Sequence, residues 1–316
     1  MNHEATNMTA YSKLISRYVL ALATVFAFVS LAGAAEIGTT FATPEEAAQA
    51  LAKAAAAKDR DALRSLFGLD ADDFVAADQV QMENDLEKFT EAYKAKHQFE
   101  SRSDTEKILE VGTDDWPFPI PLVKNDDRWY FDTDAGKDEL LNRRIGRNEL
   151  ATLQTVRAYV EAQREYASRD RYGDQVLQYA QKFASSTGKK DGLYWPPELD
   201  GEISPLGPLV AEARSEGYSK KDRDEPVPYH GYFFKILTRQ GRHAPGGKHN
   251  YIINGRMIAG FGLVAWPAQY GESGIMTFIV NQQGRVHQKD LGPKTSKLAP
   301  AITQYDPDST WQVSPD

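Results

Sequence analysis

Residues 229–290 constrain the fold of this chain more than any other stretch, because they hold three dense strand patterns in succession. Residues 232–237 and 261–266 are aromatic and β-branched, which is typical of strands. Residues 275–280 carry apolar side chains on both alternating faces, so they are predicted to form an inner strand. A turn at residues 281–284 and a returning strand complete an antiparallel β-meander.

A long helix is predicted before the meander. Apolar residues recur at helical spacing from Leu140 to Tyr166, and the arginine-rich residues 143–148 could kink the helix. The apolar face of residues 275–280 cannot remain in water, so residues 149–166 are expected to cover it.

The N-terminal part is predicted to be mainly helical. Thr43, Pro44 and Glu46 form a helix start, in which threonine is the cap and proline occupies the first position. Further helices are expected over residues 62–67 and 78–99. Strand patterns on either side of residues 125–127 then predict a β-hairpin.

The predicted fold class is α+β, with N-terminal helices plus a hairpin, followed by a long helix packed on an antiparallel β-meander. Since domains usually span about 100 to 200 residues, the length allows two of them. We divide the chain into an N-terminal region over residues 35–137 and a C-terminal domain over residues 138–316.

The first 34 residues are predicted to be a secretory signal peptide. Lys13 and Arg17 precede an apolar run over residues 18–31, and the small residues 32–34 follow as a cleavage site. This run is shorter than the roughly 20 residues that a membrane-spanning helix needs. The mature protein is therefore expected to be periplasmic or secreted, after cleavage near Ala34 or Ala35, and to have no membrane span.

Charge and cysteine content exclude several classes of function. The net charge of -8 argues against nucleic acid and anionic membrane surfaces as partners. The sequence has no cysteine, which excludes disulfides and a thiol nucleophile.

Four histidines and one aspartate are the candidates for metal binding or catalysis. His230, His243, His249 and His287 lie in the strand-rich stretch, but not at the short spacings typical of zinc ligands. We predict no metal site and no cofactor. If the protein is instead a hydrolase-type enzyme, the candidate catalytic residues are His230, His243 and His249 with Asp290.

The loop at residues 170–174 is a weaker candidate for a cation site. Asp170 and Asp174 flank Gly173, but Tyr172 stands where a calcium loop would supply a further oxygen ligand. A polar turn at the end of the long helix explains these residues without a cation.

Aromatic clusters beside proline and glycine are the candidate binding residues. They are Trp195, Tyr229, Tyr232, Trp266 and Tyr270, all predicted near strand ends. Exposed aromatic side chains on such loops favour interfaces, whereas the same side chains also fill cores. The candidate partners are another envelope protein, a peptide or a glycan.

Distinctive C-terminal motifs resemble a bacterial family catalogued as domain of unknown function 2950. They include YWPPELDGEISPLGPLVAEA, PYHGYFFKILTRQG, GFGLVAWPAQYGESGIMTFIVNQQGRVHQKDLG and YDPDSTW. The resemblance covers nearly all of the mature chain and implies an exported bacterial protein. It implies no activity and no catalytic residue.

Two shorter resemblances concern architecture. The N-terminal helices followed by a hairpin ending in RWYFD resemble an NTF2-like (cystatin-like) cone. The helix at residues 149–166 before a meander resembles pilin and pseudopilin subunits, without their processing site. The leading functional hypothesis is a non-enzymatic envelope module that binds a partner or ligand.

The signal-peptide prediction is tested by N-terminal sequencing of exported protein. The mature chain is expected to begin near Ala35, because signal peptidases cut after a small-residue motif such as residues 32–34. Recovery of the protein only from the cytosol, with Met1 still present, would contradict it.

Overall fold

Three helices begin the part of the chain that can be described. The computed structural model describes residues 38–68, 78–199, 201–218 and 227–315, so the predicted signal peptide lies outside the described residues. Helix α1 (Pro44–Ala56) is capped by Thr43 as predicted, because the Thr43 side chain accepts a hydrogen bond from the Glu46 backbone. Helices α2 (Arg60–Phe67) and α3 (Gln79–Ala95) follow.

The predicted helix over residues 78–99 is wrong at its C-terminal end. Lys96 has extended backbone angles, and β1 (His97–Ser101) follows at once. Strand β1 pairs antiparallel with β2 (Glu106–Val111), which places Phe99 opposite Leu109. Strand pairing and burial of Phe99 against the N-terminal core outweigh the local helical pattern.

The first sheet is antiparallel and includes the predicted hairpin. Strand β3 (Trp116–Pro117) pairs with β2, and β4 (Leu122–Asn125) pairs with both β2 and β5 (Arg128–Phe131). Asp126 and Asp127 connect β4 to β5 with φ angles of 47° and 63°. Two successive positive φ angles suit the tight turn of a two-residue hairpin.

Helix α4 (Thr133–Ala167) runs for 35 residues, or about 52 Å, through the predicted kink at residues 143–148 without a break. Its first turns lie against the loop before β4, where a Cβ on Gly136 would be only 2.6 Å from Ile120 Cα. The predicted domain boundary after residue 137 falls within these turns.

A second antiparallel sheet follows the short helix α5 (Gly207–Ser215). Its strands are β6 (Tyr232–Leu237), β11 (Gly262–Pro267), β12 (Met276–Asn281), β13 (His287–Asp290) and β14 (Gln312–Val313), each paired with the next. The predicted meander is confirmed by this order.

Short ribbons and a last helix complete the second half of the chain. Strand β7 (Arg239–Gln240) pairs with β8 (His249–Asn250), and β9 (Ile252–Ile253) pairs with β10 (Arg256–Met257). Helix α6 (Thr295–Leu298) follows β13.

Strand β12 is buried on both faces, as predicted. Phe278 and Val280 share a core with Val156 and Tyr159 of α4. Ile279 points the other way, into a smaller core formed with residues of β6, β11 and the C-terminal segment. The long helix therefore covers one face of the meander, as the sequence predicts.

Helices and antiparallel sheets make this an α+β fold. The described residues 38–68, 78–199, 201–218 and 227–315 belong to one compact unit. Their hydrophobic clusters are nevertheless separate, one formed by residues 47–131 and the others within residues 156–305. The division into two domains, and the NTF2-like and pilin-like resemblances, stay predictions. Within the described part of the chain, no helix combines the length and apolar character that crossing a bilayer requires.

Replacing Phe278 with alanine is expected to destabilise the protein by about 3 to 5 kcal/mol, because it removes a large side chain that is only 1% exposed. Leu150→Ala is the matched control on α4, since Leu150 is 64% exposed and its truncation should change stability by less than about 0.5 kcal/mol. Urea denaturation measures both. Equal effects of the two substitutions would contradict the buried position of β12.

Candidate functional site

An apolar cavity of about 440 Å³ lies in the N-terminal half of the protein. Its walls come from α1, α2, α3, the loop around β3 and the first half of α4. Phe118 lies at its aromatic side, with ring centroids 6.3 Å from Phe67 and 5.5 Å from Phe89. The volume falls in the range of roughly 300 to 1,000 Å³ that is usual for small-molecule sites.

Cationic side chains surround this apolar cavity. Among the described residues of its lining, six are basic and one is acidic: Arg60, Arg64, Lys88, Arg143, Arg144 and Arg147 against Asp85. Carboxylates outside the lining offset part of this charge, since Glu139 pairs with Arg143 and Asp61 with Arg64. Among the described residues, basic side chains still outnumber acidic ones around the cavity in a protein of net charge -8, and this pattern favours an anionic ligand group.

The arginines of α4 are placed by helical spacing. Arg147 lies four residues after Arg143 and three after Arg144, which puts it near both of them on the helix surface. The Arg143 guanidinium lies 4.9 Å from the Trp116 ring centre and donates to the Pro117 carbonyl at 2.8 Å. These contacts fix its planar group at the cavity edge.

Asp85 is the one carboxylate that the described part of the chain contributes to the lining of the apolar cavity. Arg147 donates two hydrogen bonds to it, at 3.1 and 2.7 Å. Burial raises the pKa of Asp85, and the charge of Arg147 offsets part of that effect. Both residues of the Asp85–Arg147 pair also line a second cavity, so the pair lies where the two cavities adjoin.

The second cavity has a volume of about 340 Å³ and a polar lining. It shares four lining residues with the apolar cavity, namely Gln81, Asp85, Lys88 and Arg147. Its other side is formed by Ser215, Glu216, Tyr218 and His230. The two cavities therefore adjoin along α3.

A buried carboxylate organises the polar side. Asp78, the N-cap of α3, is 4% exposed and accepts hydrogen bonds from the Gln81 backbone at 3.1 Å, the Gly231 backbone at 3.3 Å and the Tyr218 hydroxyl. Burial and this hydrogen bond to Asp78 raise the pKa of Tyr218, which stays protonated and donating. The arrangement ties α3 to the turn before β6.

Asn148 links the two halves of the protein. Its side-chain Nδ2 donates to the Ser273 carbonyl at 2.9 Å, and its Oδ1 accepts from Gln81 Nε2 at 2.7 Å. Asn148 is only 1% exposed, so both of these bonds are made away from water. Helix α3, helix α4 and the turn before β12 meet at this amide.

The predicted catalytic residues lie apart from one another. His230 lines the polar cavity, with Nε2 3.2 Å from Glu216 Oε2. His243 Nδ1 lies 3.0 Å from Asp306, and His249 lies beside the Gly247 and Ala259 carbonyls. Asp290 instead accepts from the Tyr270 hydroxyl and the Gly292 backbone. Of the four, only His230 lines either of the two cavities described above.

The predicted aromatic binding residues divide into two groups. Trp195 and Tyr232 are buried in the main core, where the indole donates to the Glu202 carbonyl and the phenol to the Met276 carbonyl. Tyr229, Trp266 and Tyr270 are partly exposed. Only Tyr229 lies next to the polar cavity, with its ring 4.2 Å from His230 and 4.9 Å from Tyr218.

The loop at residues 170–174 forms a polar turn. Asp170 accepts hydrogen bonds from the backbones of Tyr172, Gly173 and Gln175, and Asp174 pairs with Arg256 at 2.6 Å. Within the described residues, no three or more histidine, aspartate or glutamate side chains are grouped as metal ligands.

Sequence reasoning missed most of the residues that line the two cavities. The kink interpretation of the arginine-rich residues 143–148 leaves out a second signal, since their spacing also indicates a charged helix face. Gln81, Glu216 and Arg60 carry no comparable signal, because each comes from a different helix or helix end.

Comparison with known proteins gives a family but no activity. A family model described as a protein of unknown function, DUF2950, matches residues 38–314. Neither a curated protein nor a solved structure matches the chain.

Asn148→Ala is expected to destabilise the protein by about 1 to 3 kcal/mol, because the Ser273 carbonyl and Gln81 Nε2 would lose their buried partner. The control is Asn142→Ala, an exposed position on the same helix, which should change stability by less than about 0.5 kcal/mol. Thermal and urea denaturation measure the difference. A neutral Asn148→Ala would show that this link does not hold the two halves.

Proposed function

The chain belongs to the DUF2950 family, and we propose that it is an exported, non-enzymatic binding protein whose ligand is an amphipathic anion. The apolar part of the ligand would occupy the 440 Å³ cavity, and its carboxylate or phosphate would meet the arginines around it. The matched region starts at residue 38, just after the predicted cleavage site, which supports the exported state.

One observation carries the proposal, namely an apolar cavity whose described lining includes six basic residues and one acidic residue. Burial of apolar ligand surface contributes roughly 25 cal/mol per Å². Guanidinium groups add directional, charge-assisted hydrogen bonds to carboxylate or phosphate oxygens. A neutral apolar molecule would use the first contribution only, so the charge pattern favours an anion.

The partner classes expected from the sequence have less support. Of the five aromatic residues, Trp195 and Tyr232 are buried in the core and cannot form an exposed recognition surface. Another envelope protein, a peptide or a glycan therefore remains a prediction without a defined site.

Neither Ser273 nor His230, the residues nearest the Asn148 link and the polar cavity, belongs to a nucleophile–base pair that would support the hydrolase alternative. Ser273, whose carbonyl contacts Asn148, is buried. Its hydroxyl accepts a hydrogen bond from the Gln269 backbone N–H and donates one to the Gln269 carbonyl. His230 Nε2 faces Glu216. Nucleophilic catalysis needs a hydroxyl within hydrogen-bond reach of its base, so we favour binding over hydrolysis.

Decanoate and its uncharged twin decanol test the proposal. Both would compete with anilinonaphthalene sulfonate, a fluorescent apolar anion, for the mature protein. Decanoate is expected to bind at least about tenfold more tightly, a difference of about 1.4 kcal/mol, because only the carboxylate pairs with the arginines. Equal affinities for the acid and the alcohol would contradict the role of the charged rim.

The Arg60→Glu substitution tests whether decanoate binds in the apolar cavity, because Arg60 is one of its lining residues. Arg60 is the first residue of α2, where a negative side chain favours the helix, so folding should be preserved. Decanoate affinity is expected to fall roughly three- to tenfold, about 0.7 to 1.4 kcal/mol.

Lys248→Glu is the matched control, since it makes the same charge change at an exposed position outside the cavity. It should leave decanoate affinity unchanged. If both variants lost affinity equally, net charge and not the cavity would explain the binding.

A further inference from the structure

A carboxylate of the protein itself occupies one of the arginines of the apolar cavity. Both oxygens of Asp85 accept hydrogen bonds from Arg147, Oδ1 from Nη1 at 3.1 Å and Oδ2 from Nη2 at 2.7 Å. Two parallel N–H···O bonds are also the geometry in which a guanidinium binds the carboxylate of a ligand. Asp85 therefore holds the position at Arg147 that a ligand carboxylate would need.

The Asp85–Arg147 pair is open to exchange. Within the described part of the chain, the hydrogen bonds of these two side chains are made to each other. The Asp85 side chain is 36% exposed and the Arg147 side chain is 53% exposed. Ion pairs with this much solvent contact contribute little to folding stability, so an anion can separate the two side chains at a small cost.

Arg143, by contrast, is committed to several protein contacts. Its guanidinium lies over the Trp116 ring, donates to the Pro117 carbonyl and pairs with Glu139 at 2.6 Å. An anion that recruited Arg143 would have to compete with all three contacts. Of these two arginines, Arg147 is therefore the one that a ligand recruits more easily.

The position of Asp85 also suits its displacement from Arg147. Asp85 lines the polar cavity as well as the apolar one, together with polar residues such as Asn84 and Ser215. A carboxylate that leaves Arg147 therefore has a polar space to enter. This avoids the cost of burying an unpaired charge among apolar side chains.

From these contacts we propose that Asp85 sets the anion selectivity of the apolar cavity, by competing with the anionic group of the ligand for Arg147. The inference rests on the proposed anion site and names the residue that limits its preference for anions. A charged ligand must displace Asp85 and is repelled by its like charge. A neutral ligand meets neither obstacle, so removal of the Asp85 charge should favour the anion alone.

Asp85→Asn tests this competition, with decanoate and decanol titrated into the mature protein and followed by ligand-observed NMR. The ratio of decanoate affinity to decanol affinity is expected to rise at least about threefold, because a like charge is removed and Arg147 is released. Decanol affinity itself should stay the same. A ratio that is unchanged or lower would overturn the inference. Asp85→Ser serves as the second variant if Asp85→Asn does not fold.

A double-mutant cycle shows whether Asp85 acts through Arg147. In an Arg147→Gln background there is no guanidinium to release, so Asp85→Asn should raise the ratio much less than it does in the wild-type background. An equal rise in both backgrounds would show that Asp85 does not compete for Arg147.

Glu91→Gln is the matched control. Glu91 is an exposed residue of the same helix, and it lines the polar cavity but not the apolar one. The substitution makes the same change in net charge and should leave the ratio unchanged. If it raised the ratio as much as Asp85→Asn does, net charge would explain the effect and the inference would be wrong.

The same titrations distinguish failure of this inference from failure of the proposed function. Wild-type protein that prefers decanoate, with the same preference in Asp85→Asn, would reject only the role of Asp85. If neither protein bound decanoate more tightly than decanol, the proposed anion site would be rejected, and this inference with it.

Discussion

The buried amide of Asn148 is the contact on which the geometry of both cavities depends. It joins α4 to the turn before β12 through the Ser273 carbonyl, and to α3 through Gln81. Because a buried amide must keep its partners, these three elements cannot shift independently. The chain before β6 is held equally closely, since a Cβ on Gly231 would lie 2.6 Å from Asn148 Nδ2. Glycine at that position therefore follows from the position of the amide.

The opposite character of the two cavities arises from helix faces. Helix α4 turns Arg143, Arg144 and Arg147 toward the apolar cavity, whereas α3 presents Glu87 and Glu91 to the polar one. Asp85 and Arg147 lie where the cavities adjoin, and their bidentate pair separates a basic from an acidic environment. Helical periodicity thus creates two electrostatic environments within a few turns of one pair of helices.

The sequence predicted the scaffold better than the site, for a physical reason. The meander and the long helix follow from local periodicity, which residues 232–280 and 140–166 display over many positions. Strand β1 was missed because its helical pattern is outweighed by pairing with β2. His230, a candidate from the sequence, lines a cavity together with Glu216, but the sequence gives no signal for Glu216, because nothing local relates the end of α5 to the start of β6. Gln81 and Ser273 are farther still, 67 and 125 residues from Asn148.

The continuity of α4 also affects how a gene of this kind can be divided. Its first turns belong to the N-terminal layer, since the Thr133 hydroxyl donates to the Phe67 carbonyl and Gly136 lies against Ile120. Its last turns supply Val156 and Tyr159 to the other core. A recombination breakpoint within this helix would leave one fragment with an uncovered sheet and the other with an open helical layer. The two halves are therefore expected to be inherited and exchanged together, however separate their cores.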